Sequence, residues 1–538
     1  MNQGLRRDTA VVTVCTLFSR VTGFGRVLAT AAVLGSGYLG DVYQTANLIP
    51  NLMFELVAAG VLQAVLLPSY VAARREGGDE RLSEAVRATV GVTGVALVGV
   101  AAIGMVLSPL VARLMVASEP SGAVAGQKLD VMVPMVLVFV PQLLCYGLAT
   151  ATSAALHAKG RFVAAALAPA VNNVIVIVAC LAFRAARGGA VADLHLSSWE
   201  FALIAGGTTL GVLAYGLTTA AALGRRGVHW WPQWRPQHPA VLAMRRQFGW
   251  ATLSIVGTLV PTAVALALGN GAPGGVAVFV YAFAFYVLPH ALVAVPIATT
   301  LSPRVADHWQ AGDTAATRDV IDSSLRLAVP LLVLAGAGML ALSWPVARVA
   351  AFGQTASEGI APIAHTLAAF GPGLVGYGVA FIRVRTLFAL GDVKVASRLM
   401  IAGAVVGALT MALLADVMAP ADRAAALAIG YGTSQAVTAI LLARRAHELT
   451  GSVGLRTVGR LLGEAAVAGT VAIVVMSSIA DWFAPTRRDS LEAVFVAGTV
   501  GVAAFTVAMA SFRWRDLQGG LFSRRPAPSG QHQHELSG

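Results

Sequence analysis

Four ionisable side chains lie in a strongly apolar stretch near the start of the chain and indicate what chemistry it can perform. They are Arg20, Arg26, Asp41 and Glu55, all within residues 18–70. A charge near the centre of a bilayer costs about 2.5–3.5 kcal/mol, so two arginines in one helix need water, protein or an anionic ligand beside them. The planar guanidinium group suits bidentate binding of phosphate. We therefore predict a cationic cavity, with Arg20 and Arg26 as its substrate-binding residues.

The spacing of these residues leaves several structural alternatives open. Arg20 and Arg26 point to different faces of a regular helix, because neighbours on one face are three or four residues apart. A kink at the glycines that flank Phe24 would let both arginines face the cavity. Alternatively, helix carbonyls or Glu55 satisfy the two guanidinium groups. Asp41 either caps the second helix or, like Glu55, takes part in gating or ion coupling.

The composition excludes a soluble globular protein. Of 538 residues, 57% are hydrophobic and 12% are charged, and the mean hydropathy is +0.74. Apolar runs long enough to cross a bilayer, without the alternation of barrel strands, predict an all-α polytopic membrane protein surrounded by membrane lipids. The formal net charge of +12 would suggest nucleic acid in a soluble chain, but here the arginines cluster in alternate loops. By the positive-inside rule those loops and both termini are cytoplasmic, and no nucleic-acid partner is expected.

Hydropathy predicts about 14 transmembrane helices, most of them in two related halves. A Pro-x-Leu-x-x-Tyr-Gly segment at Pro141 recurs at Pro372, 231 positions later, and Gly160 recurs at Gly391 with the same offset. Six helices in each half make the halves parallel, related by a pseudo-two-fold axis along the membrane normal. We expect an N-terminal half at residues 1–223, an interfacial cytoplasmic linker at 224–245, a C-terminal half at 246–450, two additional helices at 451–512 and a disordered cytoplasmic tail at 513–538.

The sequence offers little for catalysis. None of its lysines follows a glycine as a phosphate-binding loop requires, and the common motifs of zinc and serine hydrolases are missing. The cysteines, Cys15, Cys145 and Cys180, lie singly and show no metal-ligand spacing. We therefore expect no enzyme activity, cofactor or metal. His290, in the eighth predicted span, is either a titratable group of the cavity or a hydrogen-bonded core imidazole.

Several short motifs near the start resemble one family of membrane proteins. They are SRVTGFGR at residues 19–26, GSGYLGD at 35–41, NLIPN at 47–51 and LPSYVA at 67–72. Together they resemble the opening of the MurJ/MviN family of lipid II flippases, within the multidrug/oligosaccharidyl-lipid/polysaccharide exporter superfamily. The resemblance implies that Arg20 and Arg26 line a central cationic cavity, that Asp41 is the family's aspartate at the outer end of the first helix, and that the two additional helices form a groove for a lipid tail.

The chain departs from the family pattern at two cavity positions. Where many relatives have a pair of arginines, this chain has Phe54-Glu55, and another cavity arginine of the eighth span is replaced by Ala284. A glutamate of the pattern is replaced by Ala59. The predicted cavity is therefore less positive than is usual for the family, which affects the identity of the substrate more than the fold.

These observations predict a flippase that moves lipid II from the inner to the outer leaflet of a bacterial cytoplasmic membrane by alternating access. The expected ligand is a polyprenyl-linked glycan lipid, the protein is expected to be a monomer, and cell-wall synthesis proteins are candidate partners. Three alternatives remain open: a flippase for another polyprenyl-pyrophosphate-linked saccharide, a cation-coupled small-molecule exporter and a non-transporting cell-wall scaffold. Arg20 and Arg26 argue against the exporter because they repel cations.

Overall fold

The computed structural model describes residues 3–56, 60–452 and 455–522, and in these ranges the chain is helical without strands. Ala, Leu and Met, which are frequent in these segments, favour the helices, and glycine and proline punctuate them. The first part contains α1 (Gln3–Leu34), α2 (Tyr38–Phe54), α3 (Gly60–Met115), α4 (Gly122–Phe139), α5 (Gln142–Ala158), α6 (Val163–Ala186), the short α7 (Ser198–Phe201) and α8 (Gly207–Gly224). The second part contains α9 (Pro239–Gly269), α10 (Gly275–Gln310), α11 (Thr314–Ala341), α12 (Ser343–Ala350), α13 (Gln354–Glu358), α14 (Ala361–Ala389), α15 (Val393–Val417), α16 (Arg423–Thr450), α17 (Leu455–Ala480) and α18 (Arg487–Phe522).

The prediction of an all-α polytopic membrane protein is confirmed. In the described residues, 12 helical segments are long and apolar enough to cross a bilayer. Two of the predicted spans are not among them. One, near residues 42–72, includes residues 57–59, which lie outside the described residues. The other corresponds to α9, in which Ile255–Gly269 is an apolar helix and the side chains of residues 247–254 lie outside the described part of the chain.

The predicted tail begins too early. Residues 513–522 continue α18, which runs to Phe522. The first proline after the apolar run is Pro526, so nothing in this segment forces the helix to end sooner. Residues 523–538, the rest of the predicted tail, lie outside the described residues.

The buried apolar side chains form separate clusters in the two parts of the chain. One large cluster joins α10, α11, α14 and α16 around Tyr286, Phe370 and Tyr431. Two others lie between residues 33 and 240, around Phe139 and around Tyr70. Helices α17 and α18 pack together and against the end of α11, where Met476 and Phe505 lie buried near Leu342. The duplication itself stays a prediction, which this separation of the clusters supports.

The repeat glycines share one backbone conformation. Gly160 and Gly391 have φ angles of 70° and 82°, in the left-handed region that favours glycine. The same holds for Gly78 and Gly312, at 64° and 75°. Gly78 lies at a kink inside α3. Each pair thus marks a corresponding turn between helices in the two parts of the chain.

The predicted linker is an extended segment that lies along α3. Its Val228 is fully buried, and the backbone N–H groups of His229 and Gln233 donate to Ser83 and to the Arg87 carbonyl. α9 begins at Pro239, six residues before the predicted end of the linker. Burial lowers the pKa of His238, so its neutral Nδ1 can accept from the Ala240 N–H at 3.3 Å and cap α9.

Candidate functional site

Helix α1 carries the two predicted substrate-binding arginines and is continuous from Gln3 to Leu34. The alternative in which the helix is interrupted beside Phe24 is therefore not observed. The glycines serve close packing instead: a Cβ atom at Gly23 would lie 3.3 Å from Nδ2 of Asn173 in α6. That amide donates to the Ser19 carbonyl and to the Thr22 hydroxyl, both at 3.3 Å. These contacts fix the rotation of α1 about its own axis relative to α6.

A continuous α1 keeps Arg20 and Arg26 on different faces. Arg26 is half-buried and interacts electrostatically with Tyr43, Tyr146 and Cys180, on the side of the N-terminal helices. Arg20 is exposed. It lies one turn from Phe24, on the same face, because residues four apart share a face of a helix.

The ring contact of Phe24 shows which helices lie next to the face of α1 that carries Arg20. Its ring packs edge-on against Phe285 of α10, with the ring centroids 4.9 Å apart. Arg20 is therefore directed toward the C-terminal helices. The structure does not bring the two arginines together, and among the described residues neither forms an ion pair with Glu55 or with any other carboxylate.

Asp41 is fully buried and makes the most extensive polar contact between the two parts of the chain. One carboxylate oxygen accepts from the Gly274 N–H at 2.8 Å, and the other accepts from Val276 and Ala277 at 3.0 and 2.8 Å. Asp41 therefore caps the N-terminus of α10, where the helix dipole favours a negative charge. It does not cap its own helix α2, whose N-cap residue is Gly37.

A buried ion pair lies beside this cap. The Lys128 ammonium group donates to Glu119 at 2.8 Å and to the Asn270 carbonyl at 2.7 Å, and both charged side chains are at most 4% exposed. The Asn270 amide donates to the Thr45 hydroxyl at 3.0 Å. The turn between α9 and α10 is thus held by residues of α2, α4 and the segment that precedes α4.

Further contacts close the same end of the bundle. The Tyr281 hydroxyl donates to the Gly35 carbonyl at 3.0 Å, and the Thr355 hydroxyl donates to the carbonyl of Ala31. The side chains of Ala31, Ala277 and Tyr281 form a small apolar cluster between α1 and α10. We call this set of contacts, with the Asp41 cap and the Lys128–Glu119 pair, the outer seam. It lies opposite the arginine-rich end of the bundle.

Glu55 lies away from the outer seam, at the other end of α2. Its side chain is exposed and interacts electrostatically with Tyr377 and Tyr431 of the C-terminal part. Tyr377 is the repeat counterpart of Tyr146, the tyrosine near Arg26. The structure therefore places the two repeat tyrosines near two of the predicted site residues, Arg26 and Glu55, although the sequence did not single out either tyrosine for this role.

The eighth-span histidine and the two departures from the family pattern also face aromatic surroundings. The His290 ring is buried and stacks on Tyr377 with the centroids 3.9 Å apart. Its Nδ1 has no hydrogen-bond partner among the described residues, so the hydrogen-bonded core interpretation does not hold for that atom. Phe54 packs against Tyr146, with the centroids 5.5 Å apart, and Ala284 is half-buried.

The buried partners of the outer seam could not be identified from sequence. Lys128, Glu119 and Asn270 belong to different segments, and no motif joins them. Only one signal pointed to them: Lys128 lies at the start of a predicted span, and a charge within a membrane-spanning helix requires a partner.

A protein-family model and several curated relatives match most of this chain. The family model described as lipid II flippase MurJ matches residues 30–487. A probable lipid II flippase MurJ of Rhizobium tropici is 28% identical over 471 residues, covering 85% of this chain and 84% of the relative. The lipid II flippase MurJ of Burkholderia cenocepacia is 25% identical over 445 residues, covering 81% and 83%.

Solved structures show the same fold. A lipid II flippase MurJ in an inward closed conformation superposes with a TM-score of 0.74 at 15% identity, covering 94% of this chain and 99% of that one. An inward-facing multidrug transporter of the MATE family has a TM-score of 0.62 at 15% identity, covering 83% and 98%. Because the family model spans most of the sequence, this chain belongs to the lipid II flippase MurJ family.

Proposed function

We propose that this protein moves lipid II from the inner to the outer leaflet of the bacterial cytoplasmic membrane by alternating access, with the arginine-rich end and both termini in the cytoplasm. The observation that carries the proposal is the family match over residues 30–487. The geometry supports it, because the outer seam is closed while Arg20 and Arg26 have no carboxylate partner among the described residues. In alternating access, a closed outer end is expected when a transporter accepts its substrate from the inner side.

The two arginines take different roles in this proposal. Arg20 is exposed and directed toward the C-terminal helices, so it meets the pyrophosphate first. Arg26 is half-buried beside Tyr146 and binds the anion deeper in the protein. Asp41 gates the outer end by capping α10, and Glu55 acts at the inner end, beside Tyr377. The substrate's prenyl chain stays in the lipid next to the helices.

A second candidate substrate has a specific observation in its favour. Phe54 and Ala284 occupy positions where the family pattern has arginine, and Phe54 packs on Tyr146 rather than contributing a charge. A polyprenyl-pyrophosphate lipid with a different saccharide would need the same binding of its pyrophosphate but fewer cations around its sugars. Replacing Ala284 with arginine distinguishes the two candidates. Faster lipid II transport by the Ala284→Arg variant would favour lipid II, and slower transport would favour the other lipid.

Transport of labelled lipid II in vesicles tests the function, together with rescue of cells depleted of their own lipid II flippase. A charge-assisted bidentate contact is worth about 1.5–3 kcal/mol, so Arg20→Ala and Arg26→Ala should each weaken lipid II binding roughly tenfold to a hundredfold. Arg→Lys variants should be intermediate, because they keep the charge and lose the planar fork. The control is Arg184→Ala, which removes an exposed arginine of α6. Wild-type transport in both Arg→Ala variants would contradict the proposal.

A further inference from the structure

A polar pocket outside the proposed substrate path lies where the end of α17 meets α12. It encloses about 450 Å³. Ser343, Trp344 and Arg348 of α12 line one side, and Ser477 and Asp481 at the end of α17 line the other. The proposed flippase mechanism uses none of these residues. A pocket with hydroxyl groups and both signs of charge indicates a ligand that carries both signs as well.

The two charged residues of the pocket are not paired with each other or with another described residue. The Arg348 guanidinium group lies over the Trp344 ring, 5.6 Å from its centroid, and is half-buried. Asp481 is exposed. Among the described residues, neither has an oppositely charged group within 4.0 Å. Arg348 is thus held in place by an aromatic ring while its charge stays free to meet an anion.

The pocket lies at the depth of lipid headgroups. Helix α11 ends at Ala341 and α17 ends at Ala480, and both then turn at the end of the bundle that holds the outer seam. Trp344 and Trp482 are 42% and 80% exposed there. Exposed tryptophans at the ends of membrane-spanning helices are typical of the interface between hydrocarbon and water.

We propose that this pocket binds the phosphoethanolamine headgroup of a membrane phospholipid. The phosphate would accept from Arg348, for which the guanidinium fork is well suited. The primary ammonium group would donate to Asp481 and to the Ser477 hydroxyl. The acyl chains would extend from the pocket into the lipid around the helices. A purely anionic headgroup would meet repulsion from Asp481, and a choline headgroup has no N–H to donate.

Native mass spectrometry of the purified full-length protein tests this proposal, with titrations of phosphatidylethanolamine, phosphatidylcholine and phosphatidylglycerol of identical chains. We expect phosphatidylethanolamine to bind more tightly than the other two. Arg348→Gln and Asp481→Asn should each weaken its binding about two- to fivefold, as expected for charge contacts that are at least partly exposed. Asp481→Asn should also abolish the preference over phosphatidylcholine, because it removes the acceptor for the ammonium group.

The control is Arg488→Gln, at the same end of the bundle. Arg488 is exposed and pairs with Glu492 one turn along α18, so its loss should leave lipid binding unchanged. Equal affinity for the three phospholipids in the wild-type protein would overturn the proposal. So would displacement of phosphatidylethanolamine by an equimolar polyprenyl pyrophosphate, which would identify the pocket as part of the transport path.

Discussion

Two ends of the surface between the N-terminal and C-terminal helices differ in whether their charged side chains have partners within the protein. In the outer seam, the Asp41 carboxylate accepts three backbone N–H groups, and Lys128 is bound by Glu119 and a carbonyl. Toward the arginine-rich end, Arg20 and Glu55 are exposed and have no ion pair with a described residue. Both regions carry charged side chains, but only in the outer seam do hydrogen bonds or an ion pair within the protein compensate for the charge.

This difference separates structural charges from charges that can meet a ligand. Burying an ion is costly unless hydrogen bonds and an opposite charge compensate for it, and the outer seam provides both. A charge without such partners must be solvated, or bound by a substrate, when the protein works. The outer seam therefore holds one conformation together, whereas the arginines of α1 have no ion pair with a described residue.

The largest effect on stability is expected where the outer seam is most buried. Lys128→Met leaves the Glu119 carboxylate buried without its cation, which should lower the free energy of unfolding by about 3–5 kcal/mol. Thermal unfolding in detergent, followed by circular dichroism, measures this loss. The double variant Lys128→Met/Glu119→Gln removes both charges and should recover part of it.

An exposed ion pair provides the control for this prediction. Arg81 and Glu84 form a pair at 3.0 Å in which Arg81 is 64% exposed. Exposed pairs contribute at most about 1 kcal/mol, so Arg81→Met should shift the transition little. An equal shift in the Lys128 and Arg81 variants would show that the buried pair has no special role in the outer seam.

Loss of the Asp41 cap should lower the free energy of unfolding less than Lys128→Met does, but it should change the conformation of the protein. Asp41→Asn keeps one acceptor oxygen and turns an amide toward the N-terminus of α10, so at least one backbone N–H loses its acceptor. Each buried N–H left without an acceptor costs about 1–3 kcal/mol. The outer seam should then open more often, and crosslinking between cysteines at Ala31 and Ala277 in a cysteine-free background should decrease.

Asp130 offers the matched substitution for this experiment. It is exposed in α4 and forms no ion pair with a described residue. Asp130→Asn changes the net charge by the same amount as Asp41→Asn but leaves the cap intact, so crosslinking should stay at the wild-type level. Unchanged crosslinking in the Asp41→Asn variant would mean that the cap does not control the outer seam.

The sequence was sufficient to predict the helical membrane fold, because uninterrupted apolar runs of about 20 residues match the thickness of a bilayer crossed by a helix. The recurring glycines were also informative, since Gly160 and Gly391 both require the left-handed conformation. The capping of α10 by Asp41 could not be foreseen. It joins residues 233 to 236 positions apart, and hydropathy does not determine which helix end a buried carboxylate meets.

The sequence also left open whether α1 continues through Phe24 without a kink. Two glycines beside Phe24 are compatible either with a kink or with the close approach of another helix, and the choice depends on the neighbour. Asn173 of α6 fills the space beside Gly23 and bonds to α1 at two points. Local sequence contains no information about that residue, so the relative orientation of Arg20 and Arg26 required the tertiary structure.

The smallest effect on stability, together with a loss of transport, is expected from Glu55→Gln. Glu55 is exposed and has no hydrogen bond among the described residues, so the substitution should change the free energy of unfolding by less than about 0.5 kcal/mol. It nevertheless removes the negative charge that acts on Tyr377 and Tyr431 across the two parts of the chain. If Glu55 gates the inner end, lipid II transport should fall while thermal unfolding stays at the wild-type temperature. If Glu55→Gln lowered the unfolding temperature as much as Lys128→Met does, Glu55 would have a structural role. The proposed difference between the charged residues at the two ends would then not hold for Glu55.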